Sequence, residues 1–327
     1  MMSRVTRSPE QRTGAGADDA VAPAQLSARD WRELIRRAGG HLMEARLPYL
    51  SAGVAFFAVL SVAPMLVTAL SVYGALNTPA QARSQLAQMA QVLPPQVHVL
   101  VTDQLTSITT ASTEVLTVRG VVGLVLALWT ATTAAVALID ALTVAYHETE
   151  TRGFARRTLL GLLFVLGGAL LLGAVIALAG VISRAADDAP GFVRAAVAVL
   201  AWPAAAVLMS TMLAFLYRFA PDRRDPQWRW TTWGAVGATL LWAATSAALF
   251  AYVQNLGTYG TTYGSLAGVA ISMFWLWLTV LLVVFGAAVN GESERQTRRD
   301  STTGPERPLG ERGAVVADST PTHLDQP

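Results

Sequence analysis

Apolar residues run almost without interruption through six stretches, 51–76, 118–142, 159–182, 192–217, 232–254 and 265–289. At about 1.5 Å of rise per residue, each is long enough as a helix to cross a hydrocarbon core about 30 Å thick. None of the six carries an acid or a base at its centre. The pattern changes ahead of the first run. In LSARDWRELIRRAGGHL, residues Trp31, Leu34, Ile35, Ala38 and Leu42 recur at helical spacing, and Arg29, Arg32, Arg36 and Arg37 form a basic remainder. Ser27 is placed to cap this helix with Asp30 at the third position. Residues 26–48 therefore predict an amphipathic helix lying on the cytosolic membrane surface against anionic headgroups. The expected fold is an all-α membrane protein, a bundle of six transmembrane helices with amphipathic surface helices. In the long loop after the first run, residues 78–108 read as two short helices broken at Pro94 and Pro95. Val97, Leu100, Val101, Leu105 and Ile108 share one face of the second, which predicts a cap on the outer surface of the bundle.

Composition agrees with this pattern: of 327 residues, 53% are hydrophobic and 14% charged, with a mean hydropathy of +0.43. That is too apolar for an ordinary soluble domain. All 24 basic residues are arginine, and their placement orients the helices. Eight lie in 1–50, three in 143–158, four in 218–231 and five in 290–327, whereas 77–117, 183–191 and 255–264 hold only Arg83 and Arg184. The positive-inside rule then puts both termini in the cytosol. The ends, 1–25 and 293–327, mix small, polar and charged residues without periodicity and predict disordered cytosolic tails around a transmembrane domain at 49–292. With 50 residues before it, the first apolar run reads as a retained span rather than a cleaved leader.

Several residues stand out within and between the spans. Pro64 and Pro203 fall at mid-membrane depth in the first and fourth spans, where proline removes a backbone donor and frees a carbonyl. The second span contains LWTATTAAVA from Leu128 and the fifth LWAATSAALF from Leu241, six identities in ten, which points to a candidate 3+3 inverted repeat. In the third span Ala169, Gly173 and Ala177 form a small-residue stripe, read as internal packing ahead of a dimer face; a homo-oligomer stays open. Asp140 lies near the cytosolic end of the second span, where pairing with Arg152 competes with a proton-relay role. The hairpin 255–266, NLGTYGTTYGSL, is uncharged and rich in glycine and hydroxyls. As a plain connector it places tyrosines at headgroup level; as the mouth of a substrate pathway it would use Asn255, Gly257, Tyr259, Gly260, Tyr263 and Gly264 together with Pro64, Pro203 and Asp140.

Candidate chemistry is sparse. There is no cysteine, and His41, His98, His147 and His323 are scattered without metal-ligand spacing. No phosphate loop, nucleophile elbow or zinc-protease motif occurs, so neither enzyme activity, a metal, a cofactor nor a nucleic-acid partner is expected. Arg152, Arg156, Arg157, Arg223 and Arg224 are instead placed to meet lipid headgroups at the inner surface.

Five stretches taken together carry a resemblance: LSAGVAFFAVLSVAPML at 50–66, TRGFARRTLL at 151–160, LYRFAPDRR at 216–224, NLGTYGTTYGSLAGV at 255–269 and GAAVNGE at 286–292. They resemble the YihY/virulence factor BrkB family of bacterial inner-membrane proteins, once labelled ribonuclease BN, over roughly 28–292. Phe57 replaces a tyrosine found in many relatives, and the neighbourhood of Thr143 lacks their basic or asparagine residue. The resemblance implies six transmembrane helices and a transport role for lipid-like molecules, with the ribonuclease label a mistaken one. A non-transporting envelope scaffold or interaction protein explains the same hydrophobicity.

Overall fold

The computed structural model describes residues 23–76, 113–187, 189–224, 226–255, 266–297 and 299–319. A short 3-10 turn at Pro23–Gln25 leads into α1 (Ala28–Glu44), followed by α2 (Leu47–Leu76), α3 (Thr113–Ala145), α4 (Phe154–Asp187), α5 (Gly191–Phe219), α6 (Trp228–Asn255), α7 (Leu266–Glu294) and the single turn α8 (Val315–Asp318). Helices α2 to α7 are the six that are long and apolar enough to span a membrane. Among the described residues there is no strand, only an isolated antiparallel bridge between Pro226 and Thr302. The expected outer-loop helices and most of the 255–266 hairpin lie outside the described residues.

The start of α1 follows from its capping box. Ser27 Oγ accepts the Asp30 amide at 3.3 Å while the Asp30 carboxylate accepts the Ser27 amide at 2.9 Å, so two otherwise orphaned donors are satisfied. Leu34, Ala38 and Leu42 face the bundle and are buried. Ile35, expected on the same face, is 49% exposed at its edge.

The core sits towards one end of the bundle. Leu47 and Val54 of α2, Ile139 and Leu142 of α3, Tyr217 of α5 and Val284 of α7 belong to one buried cluster. Small residues let the helices close up there: Ala141 and Ala145, Ala235 and Ala238, Ala287 and Ala288 are all buried. Dispersion between close backbones replaces the hydrophobic drive that lipid does not supply. The tightest crossing is α6 on α7. A methyl on Gly234 would come within 2.2 Å of the Gly286 carbonyl, and one on Gly286 within 2.5 Å of the Tyr217 hydroxyl.

Towards the opposite end the helices part. From Leu166 to Arg184 nearly every residue of α4 is exposed, including Ala169, Gly173 and Ala177. The small-residue stripe is therefore not internal packing among the described residues. Helix α4 is held against α3 at Gly161, whose missing side chain admits Val136 and the Thr132 carbonyl. Helices α2 and α5 run unbroken through Pro64 and Pro203. The ten-residue likeness falls on α3 and α6 in unlike surroundings: Trp129 is 65% exposed, whereas Trp242 donates to Thr279 Oγ1 at 3.1 Å.

The segment after α7 departs from the expected disordered tail. Residues 299–319 fold back onto the bundle end: Gln227 donates its amide nitrogen to Asp300 and Thr302 carbonyls at 3.2 and 3.0 Å, and Val316 is fully buried beside Gly291. Their polar composition hid this order, because the stabilising groups are backbone amides met by the Asp318 carboxylate, which accepts from Gly310 and Gly313 at 2.7 and 3.0 Å.

Candidate functional site: a charged bundle end and a lateral groove

The α3–α4 and α5–α6 connections, α1 and the C-terminal segment all gather at the end where the core lies. The last two turns of α7 organise them. Asn290, fully buried, accepts the Gly234 amide at 2.8 Å and donates to the Thr231 carbonyl at 3.0 Å. Two residues on, the Glu292 carboxylate is met at 3.0 Å by Arg37 of α1, by His147 after α3 and by Arg295. His41 of α1 stacks on His147 with ring centroids 3.7 Å apart and donates Nε2 to the Val144 carbonyl at 3.0 Å. Burial, then the neighbouring His147, pulls the His41 pKa below its ordinary value. Glu294 accepts both terminal nitrogens of Arg223, at 3.2 and 2.7 Å, and the Ser301 hydroxyl at 2.9 Å.

These contacts redistribute the expected roles. Arg223 does not reach headgroups: its side chain is 0% exposed, bound to Glu294 and lying 4.8 Å from the centre of the Tyr146 ring. Arg224 donates to the Thr303 carbonyl at 2.9 Å. Arg152 pairs with Glu150 at 2.8 Å and Asp222 at 3.6 Å, and donates to the Ala220 carbonyl. Asp222 is further held by the amide and hydroxyl of Thr151 at 2.7 and 2.5 Å; these outweigh burial and keep its pKa below the usual carboxylate value. Asp140 pairs with Arg157 at 3.1 Å rather than with Arg152. Arg157 is one turn into α4 and faces α3, a relation that distance along the chain does not reveal. Arg156 is exposed, as is the neighbouring Phe154 at 77%.

Of the proposed pathway residues, Pro64 is half-buried on α2 and accepts the Thr68 hydroxyl at 2.8 Å. Pro203 is exposed on α5, and Asn255 ends α6. Gly257, Tyr259, Gly260, Tyr263 and Gly264 lie outside the described residues, so the structure does not bring the hairpin and the prolines together.

Sequence reasoning missed His41, His147, Asn290, Glu292 and Glu294 as one cluster. The available signal was the pair of acids just past the last span, on the arginine-rich side, where a carboxylate needs a cation before it can be buried.

The second feature is a groove of about 660 Å³ between α3, α4 and α5. Leu138, Phe164, Gly168, Leu171, Met209 and Met212 are among its lining residues, which are apolar but for Thr211. It exists because α4 is anchored at Gly161 and then diverges from α5. Its lining lies within the membrane-length apolar segments of all three helices. Among the described residues no group of three or more His, Asp or Glu side chains is placed to hold a metal ion.

Six helices long and apolar enough to span a membrane, packed around an apolar core, define a polytopic helical membrane protein. The family model for virulence factor BrkB matches residues 38–310, and the chain belongs to that family. It is 29% identical over 174 residues to a Bacillus subtilis protein, YfkH, whose name calls it ribonuclease-like, covering 51% of this chain and 63% of that one. It is 30% identical over 178 residues to a UPF0761 membrane protein of Rhodospirillum centenum (54% and 39%). It is 25% identical over 283 residues to one of Bordetella petrii (84% and 61%). The matches thus span less than two-thirds of each relative's length. No solved structure matches.

Proposed function

We propose that this protein moves an amphipathic, lipid-like molecule across the membrane, with the apolar part of the substrate lying in the groove between α3, α4 and α5. The groove itself carries the reading. Its 660 Å³ falls within the range of small-molecule sites, and its lining suits a hydrocarbon chain. Exposed Arg156 stands at the end of α4 about 10 Å of helix rise from Leu163, where the groove begins, in reach of an anionic headgroup. Both termini lie in the cytosol of a bacterial cell in this reading, since 20 arginines flank that side against two on the other.

Reconstitution into vesicles containing a fluorescent phospholipid, with a membrane-impermeant quencher added outside, tests it. The protein should speed loss of the inner-leaflet signal over protein-free vesicles, and Gly168→Trp, whose Cβ would meet no atom within 4 Å and whose ring would fill the groove, should slow it at least several-fold. Equal rates with and without protein would leave the scaffold reading. A C-terminal fusion active only outside the cytosol would overturn the orientation.

Nuclease chemistry has little geometric support. In-line phosphodiester cleavage places an acid and a base on opposite sides of the phosphate, whereas His41 and His147 stack face to face with both Nε2 atoms engaged.

A further inference from the structure

A second apolar groove, of about 350 Å³, lies between α1, α6 and α7. Trp31 and Ile35 of α1 close it at the bundle end, with Trp31 and Trp233 ring centroids 6.2 Å apart. From there it runs along α6 past Gly237 to Leu240 and Leu241, with Phe285 of α7 on its floor. The α6 and α7 lining lies within the membrane-length apolar segments, so this surface meets lipid rather than water. We propose that it is the seat of a resident phospholipid with an anionic headgroup, distinct from the transported molecule.

The charge pattern of α1 selects the occupant. At 100° per residue, Arg32, Arg36 and Arg29 form an arc that begins next to Ile35 and turns away from the buried Leu34, Ala38 and Leu42. All three arginines are exposed, and the acids Asp30, Glu33 and Glu44 fall on the far side of that arc. Glu33 lies 3.6 Å from Arg36 in an exposed pair, a contact too weak to withdraw the arginine from a phosphate. A lipid chain entering below Trp31 and Trp233 therefore leaves its headgroup beside a row of guanidinium groups, with each such contact near an anionic surface favourable. A second protein helix would find neither complementary charge nor a face wide enough, since α1 already covers the groove at Trp31 and Ile35. Helix α1, joined to the bundle through Arg37 and Glu292, would then be held down partly by lipid.

Native mass spectrometry of the full chain in detergent, with 1-palmitoyl-2-oleoyl-phosphatidylglycerol or the matching phosphatidylcholine added, reads this directly. One phosphatidylglycerol should stay bound under activation that strips phosphatidylcholine. Arg32→Gln with Arg36→Gln, a surface change that leaves the core intact, should lower its retention about ten-fold. Gly237→Trp should abolish it, because Gly237 lines the groove and a Cβ there meets nothing within 4 Å, which leaves the ring to occupy the lipid's place. Equal retention of the two lipids by the wild type, or unchanged phosphatidylglycerol retention in both variants, would overturn the proposal. The transport reading stands or falls separately: a Gly237→Trp protein that loses its lipid and still translocates leaves it intact, and a wild type that binds lipid without translocating refutes it alone.

Discussion

Arg223 Nη2 and Glu294 Oε2 lie 2.7 Å apart, and neither side chain is exposed to solvent. The arginine comes from the α5–α6 connection and the glutamate is the last residue of α7, so the pair ties that connection to the end of the last span. Inside low-dielectric surroundings the two charges and the Ser301 hydroxyl satisfy one another, and removing one partner leaves the other buried alone. Arg223→Gln and Glu294→Gln should each destabilise the protein by about 3–5 kcal/mol. The double variant should cost less than the two singles added together. Thermal unfolding in detergent, set out as a double-mutant cycle, measures this; additive losses would mean that the pair does not act as a unit.

The α6–α7 crossing permits a sharper steric test. Gly286→Ala puts a methyl 2.5 Å from the Tyr217 hydroxyl and 2.8 Å from the Gly234 carbonyl. Tyr217 is pinned there, donating to the Val283 carbonyl at 2.7 Å, so the crossing must open and the expected cost is about 1–3 kcal/mol. Gly173→Ala on exposed α4 meets nothing within 4 Å and should be neutral or slightly stabilising, since alanine is the better helix former. Melting temperatures and the yield of monodisperse protein distinguish the two; equal behaviour would contradict the close crossing.

Much of the architecture was legible because a bilayer imposes length on its spans. Ser27 and Asp30 marked the start of α1, and six long apolar runs marked α2 to α7. The charged end was not legible. Arg37, His147, Glu292 and Arg295 come from three separate elements, and only tertiary packing places them around one carboxylate. The grooves were hidden for a related reason. Uniformly apolar helices carry no periodic signal of which face meets protein and which meets lipid, so Gly161 anchoring α4 and Gly237 opening beside α1 look alike in sequence.

The stacked histidines predict acid sensitivity. His41 has its pKa lowered by burial and by His147, with Arg295 acting in the same direction and Glu292 and the Val144 carbonyl opposing. A histidine whose folded pKa is depressed binds its proton more readily when unfolded. Its stabilising contribution is therefore fully present above about pH 6.5 and is lost as pH falls through the folded value. Asp222 and Asp300, both held below the usual carboxylate value, add a further loss only at more acidic pH, below about 4. His41→Phe keeps a ring for stacking and removes the titrating group. Its melting temperature should vary less between pH 7.5 and 5.5 than that of the wild type, and parallel curves would place the sensitivity elsewhere.

Residues 299–319 pack on the bundle where a disordered tail was expected. If residues 299–319 were a loose tail, shortening Val316 would change stability by no more than about 0.5 kcal/mol, as at most surface positions. Val316 is instead fully buried, and the preceding amide donates to the Glu148 carboxylate at 2.6 Å. Burial leaves the Glu148 pKa above its ordinary value and the Val315 amide opposes that shift, so the contact favours the charged form. Full burial of a valine side chain is worth about 1.5–3 kcal/mol. Val316→Ala should therefore cost about 1–2 kcal/mol, and removal of residues 299–327 should cost more and expose the α3–α4 connection around Tyr146 to protease. Limited proteolysis followed by mass mapping reads the second effect. Cleavage between 299 and 319 at the same rate in wild type and Val316→Ala, with unchanged melting, would return this segment to the status of a free tail.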